Sequence, residues 1–176
     1  MATEQEKTLD ALRIAIRMET SGQEYYLKAG RESNNELGKK LLESLSTEEA
    51  IHRQKFEKIY DTIRSQKAWP VITFQPGRAE GLRTIFARAT EELCSTVRVL
   101  STELGAIEKA MEMENKTYDF YKSQEEKTSY DAEKDFYQSL AAEERGHYLV
   151  LLDYYEYLKD PAGWFVNKEH PSLDGG

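Results

Sequence analysis

The chain has 176 residues, 32 acidic against 24 basic side chains, a net charge of −8 and one cysteine. That length fits one domain with one sizeable core, and the acidic balance argues against nucleic acid, whose affinity rests on basic contacts to phosphate. No apolar run approaches the roughly 18 residues of a membrane span, and a lone thiol, Cys94, closes no internal disulfide and builds no four-thiolate iron or zinc site.

Four prolines, at 70, 76, 161 and 171, leave residues 1–69 and 77–160 open to helix. The polar, acidic start Met1–Lys7 does not read as a signal peptide, and a cytoplasmic location is expected. The first helix is expected to begin near Thr8 to Asp10. Leu9, Leu12, Ala15, Ile16, Tyr26 and Leu27 recur near the 3.6 period, with Glu19 within the stripe or at its edge. Ser33-Asn34-Asn35 signals a turn. A second helix follows from about Glu36 to Lys67, its apolar side carried by Leu37, Leu41, Leu45, Ile51, Phe56, Ile59 and Ile63. The run Trp69–Gly77 breaks the pattern and reads as an extended connection; residues 80–95 regain helical character. So long a link between the second and third major helices suits a parallel crossover, whereas an antiparallel hairpin needs only a few residues. The third major helix is expected to open at Ser101 or Thr102 and to end at Thr128-Ser129. The fourth runs from Tyr130 or Asp131 to about Lys159, where Asp160-Pro161 stops it. The expected fold is all-α: a four-helix bundle over residues 1–163, with 164–176 a surface tail.

Two stretches organise this scheme. Leu45-Ser46-Thr47-Glu48-Glu49-Ala50-Ile51-His52 and Leu140-Ala141-Ala142-Glu143-Glu144-Arg145-Gly146-His147 both read Leu-x-x-Glu-Glu-x-x-His, 95 residues apart, and contain two of the three histidines. The same offset places Met18-Glu19 on Met113-Glu114, Tyr26 on Tyr121, Tyr60 on Tyr155 and Trp69 on Trp164. The identities gather at residues able to bind metal or support the binders, where a repeat kept for packing alone would retain apolar ones. The third histidine, His170, lies in the tail and reads as a surface residue.

On a helix, residues three apart share a face. Glu49 with His52, and Glu144 with His147, therefore each present a carboxylate and an imidazole together. Glu48 and Glu143 stand four residues before the same histidines, so spacing alone leaves either acid of each pair open. The repeat register selects Glu114 over Glu112. With Glu19 the sum is four carboxylates and two imidazoles. Buried together, four carboxylates would repel one another and lose hydration at several kcal/mol each. Two divalent cations cancel that charge. Glu49 and Glu144 could bridge them, with one terminal Glu and one His on each, leaving open positions for water, dioxygen or peroxide. Iron, manganese and zinc all suit such ligands. Tyr26 and Tyr121, two turns beyond Glu19 and Glu114, read either as core residues or as phenols supporting a ligating carboxylate.

Met18-Glu19 with Tyr25-Tyr26, Glu48-Glu49-Ala50-Ile51-His52, Met113-Glu114 with Phe120-Tyr121, and Glu143-Glu144-Arg145-Gly146-His147 carry a resemblance over about residues 8–160. The chain resembles the ferritin-like superfamily, and most closely its rubrerythrin branch. The resemblance implies a ferritin-like four-helix bundle. It favours Glu49 and Glu144 over Glu48 and Glu143, and thus implies a di-iron site of Glu19, Glu49, His52, Glu114, Glu144 and His147. It further implies a peroxidase that reduces hydrogen peroxide in defence against oxidative stress, working as a homodimer. Two departures stand out. No rubredoxin domain is encoded, so electrons would come from a separate donor such as a rubredoxin-like protein. The extra glutamate ligand that rubrerythrins commonly carry one turn before the third-helix Glu is Met111 here. The alternatives are a ferroxidase that oxidises ferrous iron with dioxygen or peroxide, and a non-catalytic bundle stapled by metal.

Overall fold

The structure, a computed structural model, describes residues 3–66, 69–70 and 101–164. Four long helices account for most of them: α1 (Glu4–Glu32), α2 (Glu36–Gln66), α3 (Ser101–Lys127) and α4 (Asp131–Lys159). The fold is an all-α bundle of the ferritin-like kind.

Helix α1 starts earlier than its apolar stripe suggests. The Thr3 hydroxyl accepts from the Glu6 N–H at 3.2 Å, and the Glu6 carboxylate accepts from the Thr3 N–H at 2.7 Å, a closed capping box. Capping, not the first apolar residue, sets this boundary. Three residues join α1 to α2, and their own groups satisfy the exposed backbone. The Ser33 N–H donates to Ala29 O at 2.9 Å. The Ser33 hydroxyl accepts from the Asn35 N–H at 3.1 Å, and Asn35 Oδ1 accepts from the Leu37 N–H at 2.9 Å. At the α3–α4 turn the Thr128 hydroxyl accepts from the Tyr130 N–H at 3.2 Å and donates to Glu133 at 2.7 Å.

Such short turns make α1–α2 and α3–α4 antiparallel hairpins. Cross-contacts fix the remaining directions. Tyr25 reaches Ala106 while Tyr121 reaches Glu19, so α1 and α3 are antiparallel. His52 meets Glu143 while Phe56 meets Tyr137, so α2 and α4 are antiparallel too. Helices α2 and α3 therefore point the same way, and the link between them joins opposite ends of the bundle, as its length suggests. Trp69 and Pro70 are not helical. The expected extended run beyond them, the helix over 80–95, and the tail beyond Trp164 lie outside the described residues. Helix α4 ends at Lys159 before Asp160-Pro161, as expected, and a separate helical turn follows at 161–164.

The core has two clusters. One gathers Tyr26, Leu41, Leu42, Leu45, Ile107, Ala110, Leu151 and Tyr154. The other gathers Leu12, Ala15, Phe56, Ile59, Tyr121, Phe136, Tyr137 and Leu140. Along every helix, residues of the two clusters flank a short segment that holds the candidate ligands. Leu27 is 37 % exposed and does not join the stripe in which its spacing placed it.

Candidate metal centre

Glu19 on α1, Glu49 and His52 on α2, Glu114 on α3, and Glu144 and His147 on α4 converge between the two clusters. None is more than 4 % exposed. They form two overlapping groups, each with its ligand atoms within 4.8 Å of one another: Glu19, Glu49, His52 and Glu144; and Glu49, Glu114, Glu144 and His147. Glu49 and Glu144 belong to both. His52 Nδ1 lies 3.3 Å from Glu144, 3.5 Å from Glu19 and 3.9 Å from Glu49. His147 Nδ1 lies 3.3 Å from Glu49 and 3.6 Å from both Glu114 and Glu144. The two imidazole rings stack at 5.6 Å with an interplanar angle of 14°.

Each of the six side chains keeps one buried atom without a hydrogen-bond partner: Glu19 Oε2, Glu49 Oε1, Glu114 Oε2, Glu144 Oε1 and the Nδ1 of both histidines. A buried polar atom is nearly always paired. Six orphans facing one another suit cations that accept oxygen and nitrogen donors, so this donor set fits a pair of divalent metals.

The atoms that turn away from the centre are held. Tyr26 donates its phenol hydrogen to Glu114 Oε1, and Tyr121 donates to Glu19 Oε1. Both tyrosines are buried. Each phenol serves the glutamate of the other half of the repeat, because α1 and α3 run antiparallel; along its own helix each stands two turns from its own glutamate. His52 Nε2 lies 2.5 Å from Glu143, which in turn has Lys55 at 3.7 Å. Glu143 thus sits behind the imidazole rather than in the cluster. With Nε2–H donating to Glu143, Nδ1 is left facing the centre, the outer-carboxylate arrangement common behind metal-bound imidazoles. Sequence spacing marked Glu143 as a rival ligand and not as a partner of the histidine. The signal for its role was its place next to Glu144 on a helix, which turns it to the neighbouring face. Gly22 gives α2 room: a Cβ there would lie 3.4 Å from Glu49 Cγ.

Without metal the electrostatics are those of crowded acids. Burial, reinforced by Glu19 and Glu144, holds Glu49 well above the usual carboxylate range. Burial and Glu144 push Glu114 up to about 8 against the pull of His147. Burial opposes ionisation of Glu144 as well, but the imidazoles on either side of it win and hold it below the usual range. Burial disfavours the imidazolium forms of His52 and His147, yet the surrounding carboxylates, Glu19 foremost for His52 and Glu114 for His147, hold both well above the ordinary histidine value. Cations binding to this cluster would therefore displace protons.

The rubrerythrin family model matches residues 10–155. The chain belongs to the rubrerythrin family. No match was found among curated proteins or among solved structures. The family model spans both hairpins and so all six converging side chains, and a di-iron protein fits both the family and the buried carboxylate–imidazole cluster. At the position of the additional family glutamate, Met111 packs half-buried against the first core cluster. Among the described residues no helix is long and apolar enough to cross a membrane.

Proposed function

We propose that this rubrerythrin-family chain is a di-iron oxidoreductase that reduces hydrogen peroxide with electrons from a separate small redox protein. Glu19 and His52 would hold one iron, Glu114 and His147 the other, and Glu49 and Glu144 both. The observation that carries the reading is the set of six orphaned buried atoms, one from each side chain, facing a common centre. Bound iron would supply the two electrons that cleave peroxide to water, by cycling between ferrous and ferric forms.

The chain's own groups would then do four things. Glu49 and Glu144 keep the metals close. Tyr26 and Tyr121 fix the carboxylates of Glu114 and Glu19 in one orientation. Glu143 holds the His52 ring with Nδ1 inward. The flanking apolar clusters exclude bulk water, which strengthens each of these interactions. Ferrous-iron oxidation is the second reading, favoured by Met111, which offers no carboxylate where the peroxidase branch commonly has one.

The test is rapid mixing of anaerobic, ferrous-loaded protein with equal concentrations of hydrogen peroxide or dioxygen, following the ferric absorbance in the near ultraviolet. Faster oxidation by peroxide supports the peroxidase. Faster oxidation by dioxygen supports the iron oxidase. Silence with both oxidants, together with tight zinc retention, would identify a stapled scaffold.

A further inference from the structure

We propose that Tyr121, Tyr137 and Trp69 form a one-electron path that enters the metal centre from one end of the bundle only. The proposal rests on the metal-centre reading above and adds the route by which electrons reach that centre.

The first observation is continuity. The Tyr121 phenol donates to Glu19 at the edge of the cluster. Its ring lies 6.0 Å from Tyr137 and 5.5 Å from Phe56. Phe136 touches both of these, at 5.7 Å and 5.2 Å, and lies 5.6 Å from Trp69. Trp69 is half-buried. Rings in contact therefore run unbroken from a metal-facing carboxylate to the rim of the bundle.

The second observation is that the rings at the other end stop short of the centre: Trp164 lies 5.8 Å from Tyr157 and Tyr157 6.3 Å from Tyr154, but among the described residues no ring contact links Tyr154 to Tyr26. The 95-residue shift carries Phe136, Tyr137 and Phe56 onto Leu41, Leu42 and Leu151, which pack around Tyr26. Leucines fill these places on the same backbone plan, so packing alone does not demand rings there. Among the described residues the ring contact of Tyr26 is Tyr25, at 6.0 Å. Lys109 stands 5.4 Å over the Tyr25 ring, where its charge opposes removal of an electron. The Tyr25 phenol donates to the Ala106 carbonyl at 2.7 Å, which is no acceptor for its proton.

Proton positions then assign roles. Oxidation of a phenol releases its proton, and Tyr121 has the Glu19 carboxylate in place to take it. The Tyr137 hydroxyl is buried with no hydrogen-bond partner. Tyr137 therefore passes charge without keeping it, and Tyr121 is where the oxidising equivalent rests. Trp69 can give up an electron while keeping its N–H proton. In one step, a further peroxide cleaved at the ferric-loaded centre would draw an electron from Tyr121, whose proton passes to Glu19 to leave a neutral phenoxyl radical; peroxide, not the ferric pair alone, is the oxidant strong enough for a phenol. Trp69 next gives an electron through the rings, the proton returns from Glu19, and the phenol is restored. The tryptophan cation radical is reduced by the external one-electron donor. Cleavage of one peroxide to two waters consumes two electrons and two protons from solvent, so the path operates twice per peroxide.

The chain's two tryptophans provide an internal control. In zinc-loaded Trp164→Phe protein the centre is filled and redox-silent, and azide radicals from pulse radiolysis oxidise Trp69. The tryptophan radical band should decay as the phenoxyl band grows, at a rate independent of protein concentration. Tyr121→Phe should abolish growth of the phenoxyl band and Tyr137→Phe should slow it by about tenfold, while Tyr25→Phe, at the other end of the bundle, leaves it unchanged. Ferrous-loaded wild-type protein given excess peroxide without a donor should carry oxidised Trp69 and intact Trp164 on peptide mass spectrometry. A transfer rate unaffected by both tyrosine changes, or equal damage at the two tryptophans, overturns the path. Failure of the metal-centre reading is seen separately, as absent metal or absent ferric absorbance, and the radiolysis measurement on the unloaded chain then still decides the ring path.

Discussion

The two ends of the bundle are built on one plan and filled differently. Shifting by 95 residues carries Leu12, Ala15 and Tyr26 onto Ile107, Ala110 and Tyr121, so each core cluster is the sequence image of the other. The end around Tyr26 is aliphatic next to the centre, carries the rings of Tyr154, Tyr157 and Trp164 further out, and closes on a polar knot. There Ser33 and Tyr154 both donate to buried Glu103, at 2.5 Å and 2.8 Å. The end around Tyr121 is aromatic up to Trp69. Between them the six candidate ligands keep the same residue types in both halves. The comparison separates two requirements on one backbone. Positions that face the centre keep their chemistry in both halves, whereas positions one layer away differ between the halves while still filling the core.

The sharpest way to break the comparison is at its shared middle. Glu144→Ala should empty both metal positions, Glu114→Ala one, and Glu143→Ala neither, as read by metal content per chain. Full occupancy in Glu144→Ala with loss in Glu143→Ala would show that the wrong acid of the pair has been placed in the centre.

The metal-free protein should lose stability as pH rises from about 5 to 8. Glu49 and Glu114 are held above the usual carboxylate range and both imidazoles above theirs. Each of these groups binds its proton more tightly folded than unfolded. Its stabilisation is complete below the unfolded pKa and fades as pH climbs through the folded one. Glu144 is shifted the other way, so its contribution is lost only in acid, below this window. The fall should be on the order of several kcal/mol. Chemical denaturation at a series of pH values measures it, and saturating metal should flatten the slope. A metal-free stability that climbs with pH would contradict this account of the cluster.

At the ends themselves the effects are smaller and opposite in kind. Phe56→Ala should cost about 3–5 kcal/mol through the cavity it opens. Leu151→Phe at the matching position should cost about 1–3 kcal/mol through overpacking. Equal tolerance of a ring at both sites in urea melts would mean that the two ends are interchangeable. Comparable in size to the overpacking, Tyr26→Phe should cost about 1–3 kcal/mol by stripping a donor from buried Glu114. Metal loading should recover part of that loss.

What could be read in advance was what lies close in sequence. Glu49 with His52 and Glu144 with His147 share a helix face at a fixed spacing, and the repeat register tied Glu19 to Glu114. The bundle followed from the long proline-free runs. The start of α1 was misplaced because the apolar stripe begins later than the Thr3–Glu6 capping box. The reach of Tyr26 to Glu114 and of Tyr121 to Glu19 depends on how α1 and α3 are directed, which no local pattern states. Glu143 was visible as a candidate, but its partner lies on another helix. Buried Glu103 and Glu133 went unnoticed because their satisfying hydroxyls, from Ser33, Tyr154 and Thr128, come from turns or from another helix. Gly38 carries a similar long-range reason. A Cβ there would run into the Tyr154 hydroxyl and come within 2.9 Å of Glu103 Oε1, so the polar knot requires glycine on α2.

The exchange of phenols between halves has a consequence for ancestry and assembly. Each hairpin carries two glutamates and a histidine, and each group of four borrows its last carboxylate from the other hairpin. Neither hairpin alone can finish a site or orient its own terminal glutamate. A half-length forebear of this chain would have worked only as a pair, with two identical hairpins lending each other a tyrosine and a bridge. Fusion of two such copies would make that partnership permanent. It would also release each copy to diverge, leaving leucines in one where rings stand in the other.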